Sequence, residues 1–73
     1  AKASALEPKT QSLAYVAVLA ALRIESGMAF HVKAAKQEGA SREEIISAVL
    51  VGLPAAGHVV TQVLPVAVEA FDE

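Results

Sequence analysis

Apolar residues recur along this chain at helical spacing, and the pattern predicts four helices joined by short connections. The first is expected from about Pro8 to Arg23, because Pro8 is tolerated in a first helical turn and Glu7 lies beside the positive end of the helix dipole. Its central stretch, residues 13–22, is apolar on every side. An all-round apolar pattern indicates a helix that is surrounded by protein.

The second helix is predicted between Ser26, as its N-cap, and Gly39, as the glycine that follows the last turn. Spacings of three and four residues place four side chains on one face, which is expected to pack inward: Met28, His31, Val32 and Ala35. The opposite face is polar and is expected to meet water: Lys33, Lys36 and Gln37. The segment is therefore amphipathic.

A capping box opens the third helix at residues 41–44, where the Ser41 hydroxyl can accept from the amide of Glu44 and the Glu44 carboxylate can reach back. This helix is expected to end around Gly52 to Pro54. No stretch alternates with the two-residue period of a β-strand. The sequence therefore predicts an all-α fold in which short loops make neighbouring helices antiparallel.

The fourth helix is predicted from about Ala55 or Gly57 to Phe71, with a bend at Pro65. Two adjoining apolar stripes give it an unusually wide inward face: Val59, Val63, Val66 and Ala70, and Val60, Leu64, Ala67 and Phe71. The remaining face is polar or interrupted: His58, Gln62, Pro65, Glu69 and Asp72. A helix with so wide an apolar face is expected to lie in the core.

A membrane interpretation arises because residues 45–68 contain no Asp, Glu, Lys or Arg. This span exceeds the roughly 18–20 apolar residues that suggest a transmembrane helix. Two prolines and a central polar cluster interrupt it, however, and these features favour two shorter helices buried in protein. We therefore expect no membrane partner.

Composition predicts self-assembly. A chain of 73 residues buries only about 60% of its unfolded surface when it folds alone. The hydrophobic share is 55% and the charged share 19%, against roughly 45–50% and a quarter in ordinary domains. Cysteine is absent, so disulfides cannot compensate. We therefore expect copies of the chain to cover each other's apolar surface.

Charge and residue content exclude several other functions. The net charge is -2, and only Lys33 and Lys36 lie close together, so no basic stripe suits nucleic acid. His31 and His58 are the only imidazoles, and thiolates are missing, so we expect no structural zinc site. We expect no cofactor. The start lacks a signal-peptide pattern, which leaves the cytoplasm as the default compartment.

The domain organisation is simple. Residues 1–6 are expected to be a loose N-terminal segment, and residues 7–73 are expected to form a single helical domain. The chain begins with Ala1 instead of Met, so it is compatible with being a segment of a longer polypeptide.

Four stretches of this sequence resemble the carboxymuconolactone decarboxylase family, which includes the alkylhydroperoxidase D-like proteins. They are Leu6-Glu7-Pro8-Lys9-Thr10, Phe30-His31-Val32-Lys33-Ala34-Ala35, Glu38-Gly39-Ala40-Ser41-Arg42-Glu43-Glu44-Ile45 and Ala55-Ala56-Gly57. The resemblance extends from about Leu6 to Glu73, and the middle two stretches carry most of its specificity. It implies an all-α domain of the alkylhydroperoxidase D-like type that forms homotrimers or homohexamers.

The chain departs from the peroxidase branch of that family. In that branch a CxxC pair opens the second helix, and its two positions correspond here to Ile24 and Gly27. The glutamate that moves protons for the thiols corresponds to Ser12. Neither Ile24 nor Gly27 can ionise or attack a disulfide sulfur. Peroxide reduction through a redox-active dithiol is therefore excluded.

The decarboxylase branch resembles this chain in keeping a Phe-His pair at this point of the second helix. The resemblance implies that His31 is a general acid or base, since imidazole titrates near working pH. Glu25 is a second catalytic candidate that could pair with His31 or with Arg23. Four further residues are candidates for lining the pocket: Ser12, Tyr15, Gly27 and Met28.

Each of these residues also has a structural interpretation. His31 can be a buried histidine bonded to a carbonyl, Glu25 a solvated carboxylate that the helix dipole favours, and Met28 a core residue. Ser12 and Tyr15 can satisfy carbonyls where helices cross. Two functions therefore remain open. The first is a cofactor-free lyase acting on a small carboxylated lactone or related acid, and the second is a non-catalytic oligomer that retains the scaffold.

Overall fold

The computed structural model describes residues 5–73 and consists of five helices. They are α1 (Pro8–Leu22), α2 (Met28–Gln37), α3 (Arg42–Leu50), α4 (Leu53–Ala56) and α5 (Val59–Asp72). No strand occurs between residues 5 and 73, so the predicted all-α class is confirmed. The proposed loose segment falls mostly on residues 1–4, which lie outside the described part of the chain.

The four predicted helices correspond to α1, α2, α3 and α5, and α4 is an additional single turn. It forms inside the predicted break, because Pro54 occupies a first-turn position where a missing N–H costs nothing. Gly57 then ends the turn with a positive φ of 78°, which a residue with a side chain rarely adopts. The chain therefore turns twice between α3 and α5.

The core lies where α5 crosses the bundle and packs against α2 and α3, while α1 closes it from the other side. Both predicted stripes of α5 point inward, and four of their residues are buried: Val60, Val63, Ala67 and Ala70. The five residues of the predicted outer face are all exposed. The wide apolar face of this helix is therefore confirmed.

Within a single chain, helix α1 is covered by protein on one side only. Its inner face is buried through Val16, Leu19 and Ala20. Its outer face leaves Tyr15 48%, Val18 50% and Leu22 64% exposed. The reason is that the other helices of the chain contact α1 from one side, and none covers the apolar residues that face outward.

The end of α1 places a non-glycine residue in a conformation that favours glycine. Arg23 has φ 57° and ψ 41°, the left-handed region. Its amide donates to Ala20 O at 3.1 Å, and the Ile24 amide donates to Leu19 O at 2.9 Å, which is the Schellman pattern. A side chain is strained there, because its Cβ approaches the carbonyl oxygen.

Arg23→Gly is therefore expected to raise the free energy of unfolding by about 0.5–1 kcal/mol. Urea unfolding followed by circular dichroism measures it. Ala14→Gly, in the middle of the same helix, is the control and is expected to lower stability by about 0.5–1 kcal/mol. A loss of stability in both variants would contradict the strain at Arg23.

The prediction that Ser26 is the N-cap of α2 is wrong, whereas the prediction that Gly39 follows its last turn is confirmed. The N-cap is Gly27 and not Ser26, and no side chain caps the helix. Gly27 already has helical dihedrals, so the extended backbone that a capping serine needs is missing. At the other end Gly39 has φ 102°, and the Ala40 amide donates to Ala35 O at 2.9 Å.

The predicted capping box of α3 is present. The Glu44 amide donates to Ser41 Oγ at 3.1 Å, and the Ser41 amide donates to Glu44 Oε1 at 2.9 Å. We expect Ser41→Ala to lower the free energy of unfolding by about 1 kcal/mol. Ser47→Ala is the matched control, because Ser47 is exposed in the middle of α3 and alanine is the better helix former. Equal stability of the two variants in urea would contradict the cap.

The Glu44 carboxylate also ties α3 to α1, since Lys9 Nζ donates to Glu44 Oε2 at 3.3 Å. The hydrogen bond from the Ser41 backbone, followed by that from Lys9, lowers the pKa of Glu44. A lowered pKa means that the carboxylate stabilises the fold above the pKa of the unfolded chain, and that this contribution is lost as the pH falls through the folded-state value.

Glu44→Gln is accordingly expected to be less sensitive to acid than the wild type. We expect the urea midpoint of the wild type to fall more steeply than that of the variant below about pH 4.3, where unfolded glutamate titrates. Asp72, whose pKa Arg42 lowers through a hydrogen bond, titrates in both proteins, so the difference isolates Glu44. Parallel pH curves would contradict this assignment.

Candidate functional site

A groove of about 430 Å³ lies between α1 and α2 and is lined in part by the imidazole of His31. Helix α1 contributes Ser12 and Tyr15, which share a face because they are three residues apart. Helix α2 contributes His31 and Ala34, which are also three residues apart. The complete lining is Leu6, Pro8, Gln11, Ser12, Tyr15, Phe30, His31, Ala34 and Glu38.

His31 is half-buried and held between two aromatic rings. The Tyr15 ring centroid lies 4.3 Å from that of His31, with the planes tilted by 49°. Phe30 meets the imidazole edge-on at 5.1 Å and is itself 72% exposed. Within residues 5–73 no hydrogen bond engages the imidazole nitrogens. His31 therefore contacts the groove through an imidazole that packs against two rings and that makes no hydrogen bond within the described residues.

Glu38 is a polar residue of the groove that the sequence analysis did not identify. The Ser12 hydroxyl donates to Glu38 Oε1 at 2.6 Å, the short distance typical of a hydroxyl bonded to a carboxylate. A signal for Glu38 was available, since His31 and Glu38 are seven residues apart and therefore lie on one helical face.

The groove carries an uneven set of charges. Glu38 is its acidic side chain and His31 its imidazole, whereas the lining contains no Lys or Arg from residues 5–73. Gln11 and Tyr15 add neutral hydrogen-bonding groups. A small molecule in this groove would meet an imidazole, a phenol and an amide, but no permanent cation of the same chain.

The structure brings three of the six predicted site residues together: Ser12, Tyr15 and His31. Gly27 lies behind the imidazole, and a Cβ atom on it would approach His31 Cδ2 to 3.6 Å. Met28 is completely buried in the core and does not line the groove. Glu25 is exposed and lies 3.8 Å from Arg23 Nε, outside the groove. Catalytic roles for His31 and Glu25 stay predictions.

A second groove, of about 470 Å³, separates α1 from α3 and has a different character. Alanine and other apolar side chains form most of it, and Glu43 and Glu44 lie at its rim. It contains no imidazole, and His58 is exposed on the polar face of α5. Of these two grooves, only the one between α1 and α2 therefore combines an imidazole with a phenol and an amide.

Among residues 5–73, no three side chains of the His, Cys, Asp or Glu type are grouped so that they could hold a metal ion. No helix in the same range is both long and apolar enough to cross a bilayer.

Comparisons with known proteins give one match. Neither the curated proteins nor the solved structures contain a match to this chain. The model of the carboxymuconolactone decarboxylase family matches residues 1–69, which is nearly the whole sequence. The all-helical fold agrees with that match. The chain belongs to the carboxymuconolactone decarboxylase family.

Proposed function

We propose that this protein is a cofactor-free lyase that removes carboxylate from a small lactone or a related acid, with His31 as its proton carrier. The observation that carries the proposal is the position of His31, half-buried in a groove of about 430 Å³ beside four other polar side chains: Gln11, Ser12, Tyr15 and Glu38. A groove of this size suits a small molecule. The family match makes a carboxylated lactone the natural first substrate.

The proposed reaction balances without an oxidant or a metal. The bond between the ring carbon and the carboxylate breaks, and carbon dioxide leaves. The electron pair stays on an unsaturated lactone as an enolate, conjugated with the ring carbonyl. The imidazolium of His31 then gives its proton to carbon, and solvent protonates the imidazole again. One carboxylate and one proton thus become carbon dioxide and a decarboxylated lactone.

The other polar groups support this step in different ways. The enolate oxygen needs donors where negative charge develops, and the Tyr15 phenol and the Gln11 amide are the neutral donors of the lining. The Ser12 hydroxyl already donates to Glu38, so this hydrogen bond joins α1 to the end of α2 across the groove. Phe30 is exposed at the rim, where it can shield a bound lactone from water.

The experiment is a decarboxylation assay on carboxymuconolactone and on a panel of smaller carboxylated lactones. We expect one carbon dioxide per lactone consumed. In deuterium oxide the product should carry one deuterium on a ring carbon of the enolate system, because the proton that this carbon receives comes from an exchangeable donor. A folded protein that releases carbon dioxide from no member of the panel contradicts the proposal.

Self-assembly as a homotrimer or homohexamer forms a second part of the proposal. Its support is the apolar outer face of α1, which half-exposes three large side chains. The same surface favours an alternative function, a non-catalytic oligomer that kept the scaffold and lost the reaction. The deuterium experiment separates the two functions, because only the lyase labels a product.

A further inference from the structure

The exposed apolar residues of α1 form a ridge that continues to the edge of the His31 groove. We define the ridge as Tyr15, Val18 and Leu22, which are 48%, 50% and 64% exposed. Their spacing of three and four residues places them in one row along the helix. Tyr15 belongs both to the ridge and to the groove lining. Whatever covers the ridge therefore lies beside the candidate site.

Arg23 follows the ridge directly and is the described cation with the weakest partner. Its contact to Glu25 is 3.8 Å long, and both side chains are about half exposed. The other described cations have closer partners: Lys9 with Glu44, Lys33 with Glu73, Lys36 with the Phe71 carbonyl and Arg42 with Asp72. Arg23 also occupies a left-handed position where glycine would be relaxed. Its side chain is presented to solvent beside an apolar surface.

The groove of His31 lacks a positively charged Lys or Arg side chain, whereas Arg23 lacks a close negative partner. The groove contains the Glu38 carboxylate and no Lys or Arg of its own chain within residues 5–73, yet a carboxylated substrate needs a positive partner. Arg23 is not part of the lining in the same chain. The groove that lacks a Lys or Arg thus lies at the Tyr15 end of the ridge, and the weakly paired Arg23 follows its Leu22 end.

We propose that two copies pack ridge against ridge about a twofold axis beside Val18, and that the partner's Arg23 completes each groove. A twofold axis at Val18 makes the two α1 helices antiparallel, so residues whose numbers add to about 36 face each other. Leu22 then meets the partner's Ala14, a large side chain against a small, exposed one. The partner's Arg23 lies level with Leu13, within one helical turn of Gln11 and Tyr15.

This arrangement gives the arginine a chemical role that rests on the proposed function. The guanidinium binds a carboxylate of the substrate, and Glu38 and Gln11 orient it from the groove side. Substrate selection for carboxylated molecules then depends on assembly. The contact also requires an even number of subunits, which is compatible with a hexamer and incompatible with a single trimeric ring.

Thiol cross-linking tests the interface independently of activity, since the natural chain has no cysteine. We expect Val18→Cys to form an intermolecular disulfide at low micromolar concentration, because the two Cα atoms lie close to the axis. Gln62→Cys, exposed on the polar face of α5, is the control and should stay monomeric on a non-reducing gel. A Val18→Cys protein that cross-links no better than the control overturns the interface.

The placement of Arg23 has its own cross-linking test. Arg23→Cys copies mixed with Gln11→Cys copies should give a heterodimer with a short thiol-specific cross-linker, and neither variant alone should give as much. Circular dichroism and Val18→Cys cross-linking in the same background show that each variant is folded and assembled. Failure of the mixed pair to cross-link in an assembled protein overturns the placement of the partner's Arg23.

Subunit mixing tests the role of the arginine. We expect Arg23→Gln to lower kcat/KM on the carboxylated lactone by about ten- to a hundred-fold, whereas Lys33→Gln should have no effect. Mixing Arg23→Gln with His31→Gln should restore about a quarter of wild-type activity, because half the dimers are hybrids with one complete groove of two. No recovery, with an active wild type, means that the arginine does not act across the interface.

The failure of this inference and that of the proposed function can be told apart. Successful cross-linking of both pairs with an inactive wild type retains the interface and contradicts the lyase. An active wild type whose Val18→Cys and mixed-cysteine pairs do not cross-link retains the lyase and overturns the shared site.

Discussion

Replacing His31 with glutamine is expected to lower turnover of a carboxylated lactone by about 10²–10⁴-fold, the usual contribution of a positioned acid or base. Glutamine keeps an amide of similar size in the groove but cannot deliver a proton to carbon. The imidazole lies 4.3 Å from Tyr15 and 5.1 Å from Phe30 between ring centroids, so the substitution changes one side of the groove and leaves the core intact. Steady-state carbon dioxide release measures the effect.

His58→Gln is the matched control for this substitution. His58 is the other imidazole of the chain, and it is exposed on the polar face of α5, away from the groove. We expect the control to keep wild-type activity and the two variants to have the same circular dichroism. If His31→Gln kept full activity on a substrate that the wild type turns over, the imidazole would be a packing residue held by its two aromatic neighbours, and the proton would have another source.

Ile45→Ala is expected to lower the free energy of unfolding by about 2–5 kcal/mol, the largest stability effect that we predict. Ile45 is completely buried in α3, where α1 and α5 both pack. Truncation removes three carbons from a filled core and leaves a cavity. A small domain has a total stability of about 5–15 kcal/mol, so the variant loses a large part of it.

The neighbouring isoleucine provides the control. Ile46 is only partly buried, so Ile46→Ala should cost clearly less than Ile45→Ala although the chemical change is identical. Urea unfolding at one protein concentration, with the solution mass checked in parallel, separates loss of core packing from loss of assembly. Equal costs for the two isoleucines would mean that the packing of α3 differs from that described here.

Replacing Arg23 is expected to have opposite effects on the stability of the fold and on the proposed activity. Glycine at this position should relieve the left-handed strain, whereas the proposed role in the partner's groove requires the guanidinium. A variant that is more stable and less active is therefore the expected outcome of Arg23→Gly. Strain that persists at a residue with a chemical role is a common feature of functional sites.

Local interactions of this protein could be predicted from the sequence because they involve residues close along the chain. The capping box at Ser41 and Glu44 needs only the spacing of an N-cap and its third helical residue. Gly39 as the terminator of α2 follows from the conformational freedom of glycine. The inward stripes of α5 follow from the helical period alone. All three are present in the structure.

Other features could not be predicted because they depend on distant parts of the chain. The N-cap of α2 is Gly27 and not the predicted Ser26, since the turn after α1 sets the backbone dihedrals there. Glu38 joined the site because α1 brings Ser12 to within 2.6 Å of it across 26 positions of sequence. Met28 had the helical spacing of a pocket residue, yet the crossing of the helices places it in the core.

The sequence by itself determined the all-helical class, the cap that opens α3, the glycine that ends α2 and the apolar faces, because these depend on the local spacing of residues. Only the tertiary structure decided which polar residues share a groove with His31 and which apolar residues of α1 stay uncovered. Both depend on how helices separated along the chain cross each other, and side-chain period carries no information about the crossing.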